Sequence, residues 1–174
     1  MIDARAYDFY GAVSDLIEND SVLSMADFVQ HGNISCLEHC LFVSYMSYKM
    51  CKALGLDAKT AARGGLLHDF FLYDWHDIKI HLGYRMGITN MHGFSHPGAA
   101  LKNAEANFEL SDVERDIILR HMWPLTIKPP KYAESLVVCI ADKLCAVAEA
   151  TGLYKLSKMG RVARNLLKEA QAVG

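Results

Sequence analysis

Apolar residues recur at intervals of three and four positions along most of the sequence, which is the period of an α-helix buried on one face. Residues 4–18 show this spacing at Tyr7, Tyr10, Val13 and Ile17. The alternation of apolar and polar residues that marks a half-buried β-strand is essentially absent. The sequence therefore predicts an all-α fold, a compact bundle of about six to eight helices.

Start and stop signals divide the sequence into these helices. Ser35 and Ser111 are each followed three residues later by glutamate, as in a capping box, and Gly55 and Gly152 are glycine stop signals. Pro97 is expected in the first turn of a helix that opens at residues 95–97. The aromatic and glycine-rich stretch 70–93 predicts a loop with a short helical piece at most. Helices are otherwise expected over residues 4–18, 23–28, 35–54, 58–67, 111–121, about 132–150 and about 156–172.

Length and composition limit the classes of protein to which the chain can belong. The 174 residues are 52% apolar and 22% charged, with a formal net charge of −2. This length fits one domain over residues 1–174. No basic excess attracts nucleic acid, and no run of about 18 apolar residues predicts a membrane helix, so neither partner is expected. The odd number of cysteines and the lack of a secretory pattern at the start favour a cytoplasmic location.

Two cysteines lie close to a histidine and raise the question of a zinc site. Cys36, His39 and Cys40 share one face of a predicted helix. No second pair of ligands follows at the spacing of a zinc finger or ribbon. Free cysteine is among the residues most often buried, so we expect buried thiols here.

The eight histidines are the unusual feature of the composition. His39 lies inside a predicted helix, the His68-Asp69 pair ends the next one, and His96 and His121 lie at the ends of two others. Asp142 lies in the most apolar helix of the chain, where a buried carboxylate is costly unless it is paired or bound to a cation. Each successive helix thus supplies one or two groups that can bind a metal, although a salt bridge or a cap would also explain Asp142.

This order of residues resembles the HD-domain superfamily of metal-dependent phosphohydrolases. The signature of that superfamily is a distant histidine, an adjacent His-Asp pair and a distant aspartate, which here are His39, His68-Asp69 and Asp142. The resemblance covers about residues 35–149, which form the expected metal-binding core, and leaves the basic helix 156–172 outside it. It implies a helical bundle of the HD-domain type.

The resemblance also implies a metal site. The ligands of a first ion are then His39, His68, Asp69 and Asp142, and Asp69 bridges to a second ion held by His96 and His121. Imidazole and carboxylate groups together suit divalent ions such as Fe, Mn, Zn, Co, Ni or Mg, one or two per chain. Asp69 is the implied catalytic residue, since it would contact both ions.

The implied activity is hydrolysis of a phosphoester by a metal-activated water, with a nucleotide or another small phosphorylated metabolite as the substrate. Two departures limit the choice among relatives. The Gly-Tyr-Pro motif of cyclic-dinucleotide phosphodiesterases is missing, and Leu72 stands where deoxynucleotide monophosphatases carry a carboxylate. Two alternatives stay open: a di-iron oxygenase of the HD type, and a non-catalytic signalling module that contains metal.

Two residues outside the ligand set are candidate substrate contacts. His31 lies shortly before the first ligand helix, where a place in a turn is an equal alternative. Lys143 follows Asp142 directly, although neighbouring residues on a helix point about 100° apart. A basic stripe in the last predicted helix is best explained as a solvated face, with nucleic acid the less favoured interpretation: Lys155, Lys158, Arg161, Arg164 and Lys168.

Overall fold

The structure, a computed structural model, describes residues 4–31, 34–72, 91–156, 160–162 and 164–165. Six helices of nine or more residues lie within these ranges, and the predicted all-α class is confirmed. The α-helices are α1 (Ala4–Ile17), α2 (Asp20–Leu23), α3 (Cys36–Leu54), α4 (Ala58–Leu67), α5 (Met91–Asn107), α6 (Asp112–Arg120), α7 (Ala133–Ala150) and α8 (Leu153–Leu156).

The helix ends follow from local hydrogen bonding at the predicted signals. The Ser35 hydroxyl accepts from the Glu38 amide at the start of α3, and Gly55 ends that helix at φ 70°, a left-handed conformation that favours glycine. Asp57 caps α4 by accepting from the Thr60 amide. Ser111 and Glu114 form the complete capping box of α6. These boundaries agree with the sequence-based expectation.

A short β-hairpin precedes α3, where the sequence analysis expected no strand. Strand β1 (Val29–His31) pairs antiparallel with β2 (Ile34–Ser35). Three and two residues are too few for a period-two pattern to appear in the sequence. The helical piece expected over residues 23–28 is also divided, because α2 ends at Leu23 and a 3-10 turn occupies Ser24–Asp27.

Helix α5 begins earlier than predicted. Pro97 lies inside it rather than in its first turn, so the expected start at residues 95–97 is wrong. Proline removes one hydrogen bond from a helix interior, at a cost of about 3 kcal/mol, and the turns on both sides here are helical nonetheless. Most of the predicted loop 70–93 lies outside the described residues.

The face that α1 turns to the core differs from the expected one. Val13 and Ile17 are buried as predicted, whereas Tyr7 is 73% exposed and Phe9 is fully buried. The buried face is therefore centred about one position earlier in the helix than the tyrosines suggest, since Ala12 and Leu16 are also buried. Tyrosine carries a polar hydroxyl and is a weaker marker of burial than phenylalanine.

Helices α3, α4 and α7 pack around the centre of the bundle, and two glycines of α4 allow close approach. A Cβ built on Gly65 would lie 3.1 Å from the Ser44 Cα of α3, and one on Gly64 would lie 2.5 Å from Ile117 Cδ1 of α6. The Ser44 hydroxyl donates to the Ala62 carbonyl at 2.6 Å across the same contact. Helix α4 thus packs closely between α3 and α6 at the turn that precedes His68.

No helix within the described ranges is long and apolar enough to cross a lipid bilayer. Of the basic helix expected over 156–172, residues 160–162 and 164–165 are helical and the others beyond Leu156 lie outside the described part. Tyr154 holds the start of this region to the bundle, since its hydroxyl donates to Glu38 Oε1 at 2.6 Å.

Candidate metal centre

The structure brings all six predicted ligands together in the interior of the bundle. His39 lies on α3, His68 and His121 follow the last residues of α4 and α6, His96 lies on α5 and Asp142 on α7. The four histidines and Asp69 are 0–5% exposed. The Asp142 side chain is 15% exposed and is the member closest to solvent.

A first group of atoms surrounds Asp142. Its Oδ1 lies 3.2 Å from His39 Nε2 and 3.6 Å from His68 Nε2. His68 Nε2 is also 3.4 Å from Asp69 Oδ2. The potential ligand atoms of His39, His68 and Asp69 all lie within 4.8 Å of one another, a spacing that one ion can span.

A second group adjoins the first through Asp69. Asp69 Oδ1 lies 3.2 Å from His96 Nε2 and 3.3 Å from His121 Nε2. The two imidazole nitrogens are themselves 2.9 Å apart. Asp69 therefore faces one group with each of its oxygens, and it is the only residue common to both groups within the described part of the chain.

The outer nitrogens of three imidazole rings show which nitrogen carries the proton. His68 Nδ1 lies 2.8 Å from the Gly65 carbonyl, and His121 Nδ1 lies 2.8 Å from the Ile118 carbonyl. Because a carbonyl only accepts hydrogen bonds, both Nδ1 atoms donate. His39 Nδ1 lies 3.0 Å from each oxygen of the Glu149 carboxylate. In all three rings Nε2 is consequently the nitrogen that faces the aspartates.

The negative charge of the two aspartates favours a cation among the atoms of both groups. Burial raises the pKa of Asp69, but His68 and His96 outweigh it and hold that pKa well below 3.8. Burial raises the pKa of Asp142 as well, but the nearby imidazoles of His39 and His68 outweigh it and hold that pKa well below its usual value. Both aspartates are thus held as anions among the Nε2 atoms of the four imidazole rings.

The histidines respond to the same charges. Burial lowers the pKa of His39, but Asp142 and Glu149 outweigh it and raise that pKa well above 6.5. The carboxylate of Asp69 contributes most to the same rise at His68. Burial prevails at His121 and lowers its pKa. The carboxylates thus outweigh burial at His39 and His68, whereas burial outweighs Asp69 at His121.

The residues present fit a divalent metal ion. His68 Nε2 is buried and makes no hydrogen bond among the described residues, as expected of an atom built to bind a cation. Imidazole nitrogens with carboxylate oxygens suit Mn, Fe, Co, Ni or Zn, and the outer nitrogens are oriented as metal-ligating histidines usually are.

The two candidate substrate contacts differ in what the structure shows of them. Lys143 Nζ lies 3.7 Å from Asp142 Oδ2 and donates to the His121 carbonyl at 2.8 Å, with the side chain 44% exposed. The Lys143 ammonium group therefore lies beside the site, next to Asp142. The backbone of His31 belongs to β1, and its side chain lies outside the described part.

Cys36 and Cys40 lie next to predicted ligands. All five cysteines are free and buried, as the sequence analysis expected. The Cys36 thiol donates to the Asp69 carbonyl at 3.3 Å, and Cys40 Sγ lies 3.9 Å from His68 Nδ1. Within the described residues no cysteine belongs to a group that could hold a metal.

Glu149 is the residue at the site that the sequence analysis did not single out. Its side chain is fully buried and contacts His39. A signal for it exists in the sequence, since it follows Asp142 by seven residues, two turns later on the same face of an apolar helix. A buried glutamate there needs a partner for the same reason as Asp142.

The fold and the site define a class: a helical bundle with a buried histidine–aspartate centre able to hold divalent metal. The HD domain family matches residues 36–147, nearly two thirds of the sequence, and the chain belongs to that family. Members of the family are in general metal-dependent hydrolases. No curated protein and no solved structure shows significant similarity to the chain.

Proposed function

We propose that the chain is a phosphohydrolase that cleaves the phosphoester of a nucleotide or another small phosphorylated metabolite with two bound divalent ions. The observation that carries this proposal is the pair of ligand groups joined by Asp69. Divalent ions in such a pair of sites activate water and neutralise the charge on a transferring phosphoryl group. A purely structural site would need fewer ligands.

The side chains of this site have separate tasks. Asp69 touches both groups and so fixes the distance between the two ions. The Gly65 and Ile118 carbonyls and the Glu149 carboxylate hold the His68, His121 and His39 rings with Nε2 inward. The bundle keeps these rings at 0–1% exposure, whereas the Asp142 side chain is 15% exposed. Fixed dipoles in a dry site are worth more than the same dipoles in water.

Lys143 is the substrate contact that we assign to this proposal. Its ammonium group lies on the exposed side of Asp142, where an anionic phosphate would approach. A charge-assisted hydrogen bond is worth about 1.5–3 kcal/mol when buried, and we take the lower end because the side chain is 44% exposed.

Lys143→Ala should raise KM about tenfold and change kcat and metal content less than about twofold, because about 1.4 kcal/mol corresponds to a factor of ten. Steady-state kinetics with metal analysis of the same sample would measure this. Lys128→Ala, which removes an exposed lysine of the loop between α6 and α7, is the control. An unchanged KM would remove Lys143 from the proposal.

The activity itself is tested on protein purified without added metal. Elemental analysis gives the number and identity of the bound ions. The chelated protein is then reloaded with Mn, Co or Ni and screened for phosphate release from nucleoside mono-, di- and triphosphates and sugar phosphates. We expect phosphate release that EDTA abolishes and metal restores. A fully loaded sample that releases phosphate from none of them would contradict the proposal, and oxygen-dependent loss of a substrate would favour an oxygenase instead.

Metal binding should also raise the thermal stability of the protein. An ion at a hundred times its Kd stabilises the folded state by about 2.7 kcal/mol, and a domain of this size gains about 2–4 °C per kcal/mol. We therefore expect Tm to rise by about 5–11 °C when Mn is added to chelated protein, measured by calorimetry. The control is the same addition to Asp69→Asn, and an equal rise there would place the ion elsewhere.

A further inference from the structure

The contact between His39 and Glu149 differs in kind from the other contacts behind the ligand rings. Both oxygens of Glu149 lie 3.0 Å from His39 Nδ1. The carboxylate side chain is 0% exposed and the imidazole 1%. A full negative charge is thus buried directly behind one ligand.

His68 and His121 have neutral groups in the same place. Their Nδ1 atoms donate to the main-chain carbonyls of Gly65 and Ile118, each three residues earlier in the chain. A carbonyl dipole orients an imidazole ring, but a carboxylate also makes the ring a stronger electron donor to a metal.

Glu149 is placed to act through His39 and not as a ligand itself. Its oxygens face Nδ1, whereas Nε2 of the same ring faces Asp142 Oδ1 at 3.2 Å. The imidazole ring therefore separates Glu149 from the point where the ligand atoms converge.

Three carboxylates lie within reach of the first group. That group contains Asp142 and shares Asp69, and Glu149 adds a third negative charge behind it. The second group shares Asp69 through its contacts with His96 and His121. Cation affinity rises with the negative charge that surrounds a site of low dielectric.

We propose that Glu149 is a positioning residue that fixes the tautomer of His39 and strengthens the first group, so that the ion at His39, His68, Asp69 and Asp142 binds more tightly and fills first. This inference rests on the metal-dependent function proposed above. It adds an order of loading to that function, together with the side chain that sets the order.

The test is a titration of chelated full-length protein with Co(II), followed by its visible absorption and by calorimetry. The wild type should show a tighter and a weaker class of sites. Glu149→Gln keeps the shape of the side chain and an oxygen that accepts from Nδ1, but removes the charge. We expect the tighter Kd to rise about 10–100-fold with a changed Co(II) spectrum, the size of effect typical of partners behind a metal ligand. The weaker Kd should change less than about twofold.

Glu114→Gln is the matched control, because Glu114 is also a buried glutamate, 4% exposed, but pairs with Arg63. It should leave both classes of sites unchanged. An unchanged tighter class in folded Glu149→Gln, or an equal loss in both classes, would overturn the inference while leaving the proposed function intact. Failure of the wild type to bind Co(II) at all would overturn both.

A second measurement does not depend on the variant folding. Long-range ¹H–¹⁵N spectra of the wild type loaded with one equivalent of Zn(II) report the tautomer of each histidine. The inference expects His39 to carry its proton on Nδ1 and to be metal-shifted at the first equivalent, before His96 and His121 shift. A proton on Nε2 of His39, or shifts at His96 and His121 first, would overturn it.

Discussion

Asp69→Asn should lower kcat/KM for phosphoester hydrolysis by about a thousandfold, which corresponds to about 4 kcal/mol of transition-state free energy. Asp69 faces His68 with one oxygen and His96 and His121 with the other, at 3.2–3.4 Å. Asparagine keeps the shape of the side chain but replaces one oxygen by a donor and removes the charge. Both groups of ligands are affected at once, so we expect the variant to retain less than one ion per chain.

The measurement combines elemental analysis with the rate of phosphate release. Asp116→Asn is a suitable control, since Asp116 is also buried, 6% exposed, but accepts from the Lys131 amide and pairs with Arg120. That variant should keep its metal. Retention of two ions by Asp69→Asn would show that the ligand assignment is wrong.

Asp142→Ala separates the two groups. Asp142 contacts His39 and His68 but neither His96 nor His121 among the contacts described. Its loss should remove the ion of the first group and the activity together, while the weaker class of sites is retained. A variant that keeps its full metal content would exclude Asp142 from the ligand set.

Gly65→Val should destabilise the fold by about 3 kcal/mol or more. A Cβ at this position lies 3.1 Å from the Ser44 Cα, which belongs to the backbone of α3 and has little room to move. Overpacking of a core costs about 1–3 kcal/mol, and the branched side chain adds two further methyl groups at the same contact. The Gly65 carbonyl also orients His68, so displacement of α4 should weaken metal binding as well. Urea unfolding and Co(II) titration would measure the two effects.

Gly11→Ala should stabilise the fold, in contrast to Gly65→Val. Gly11 is an exposed residue of α1, and a Cβ there meets nothing within 4 Å. Alanine is favoured over glycine in a helix by about 1 kcal/mol, so this variant should be more stable than the wild type by about that amount. A Gly65→Val of unchanged stability would contradict this account of α4, and a destabilised Gly11→Ala would contradict the open surroundings of Gly11 on α1.

Helix boundaries and the grouping of the six ligands were predictable because both depend on local or chemical signals. Ser35 and Gly55 carry their own capping chemistry, so α3 begins and ends where the sequence predicts. Asp142 was recognisable because a carboxylate in an apolar helix needs a cation or a partner. The resemblance of this order of residues to the HD-domain superfamily then implied which of them would meet.

Features that depend on tertiary packing were not predictable in this way. The continuation of α5 through Pro97 rests on the turns at both sides of the proline. The exposure of Tyr7 and the burial of Phe9 depend on how α1 is rotated against the core. The packing of α3 against α7 decides which carboxylate lies behind His39. The contact of Glu149 with that ring could therefore not be predicted from the sequence alone.

The groups that orient the ligand rings differ in how they can be lost by mutation. The carbonyls behind His68 and His121 belong to the main chain, and every residue type at positions 65 and 118 supplies a carbonyl. The partner of His39 is a side chain, and a single base change in its codon can abolish it. As substitutions accumulate in the bundle, the orientation of His39 is therefore more easily lost than that of the other two rings. A substitution at position 149 would therefore be an early way for such a protein to lose the order in which its two groups bind metal ions.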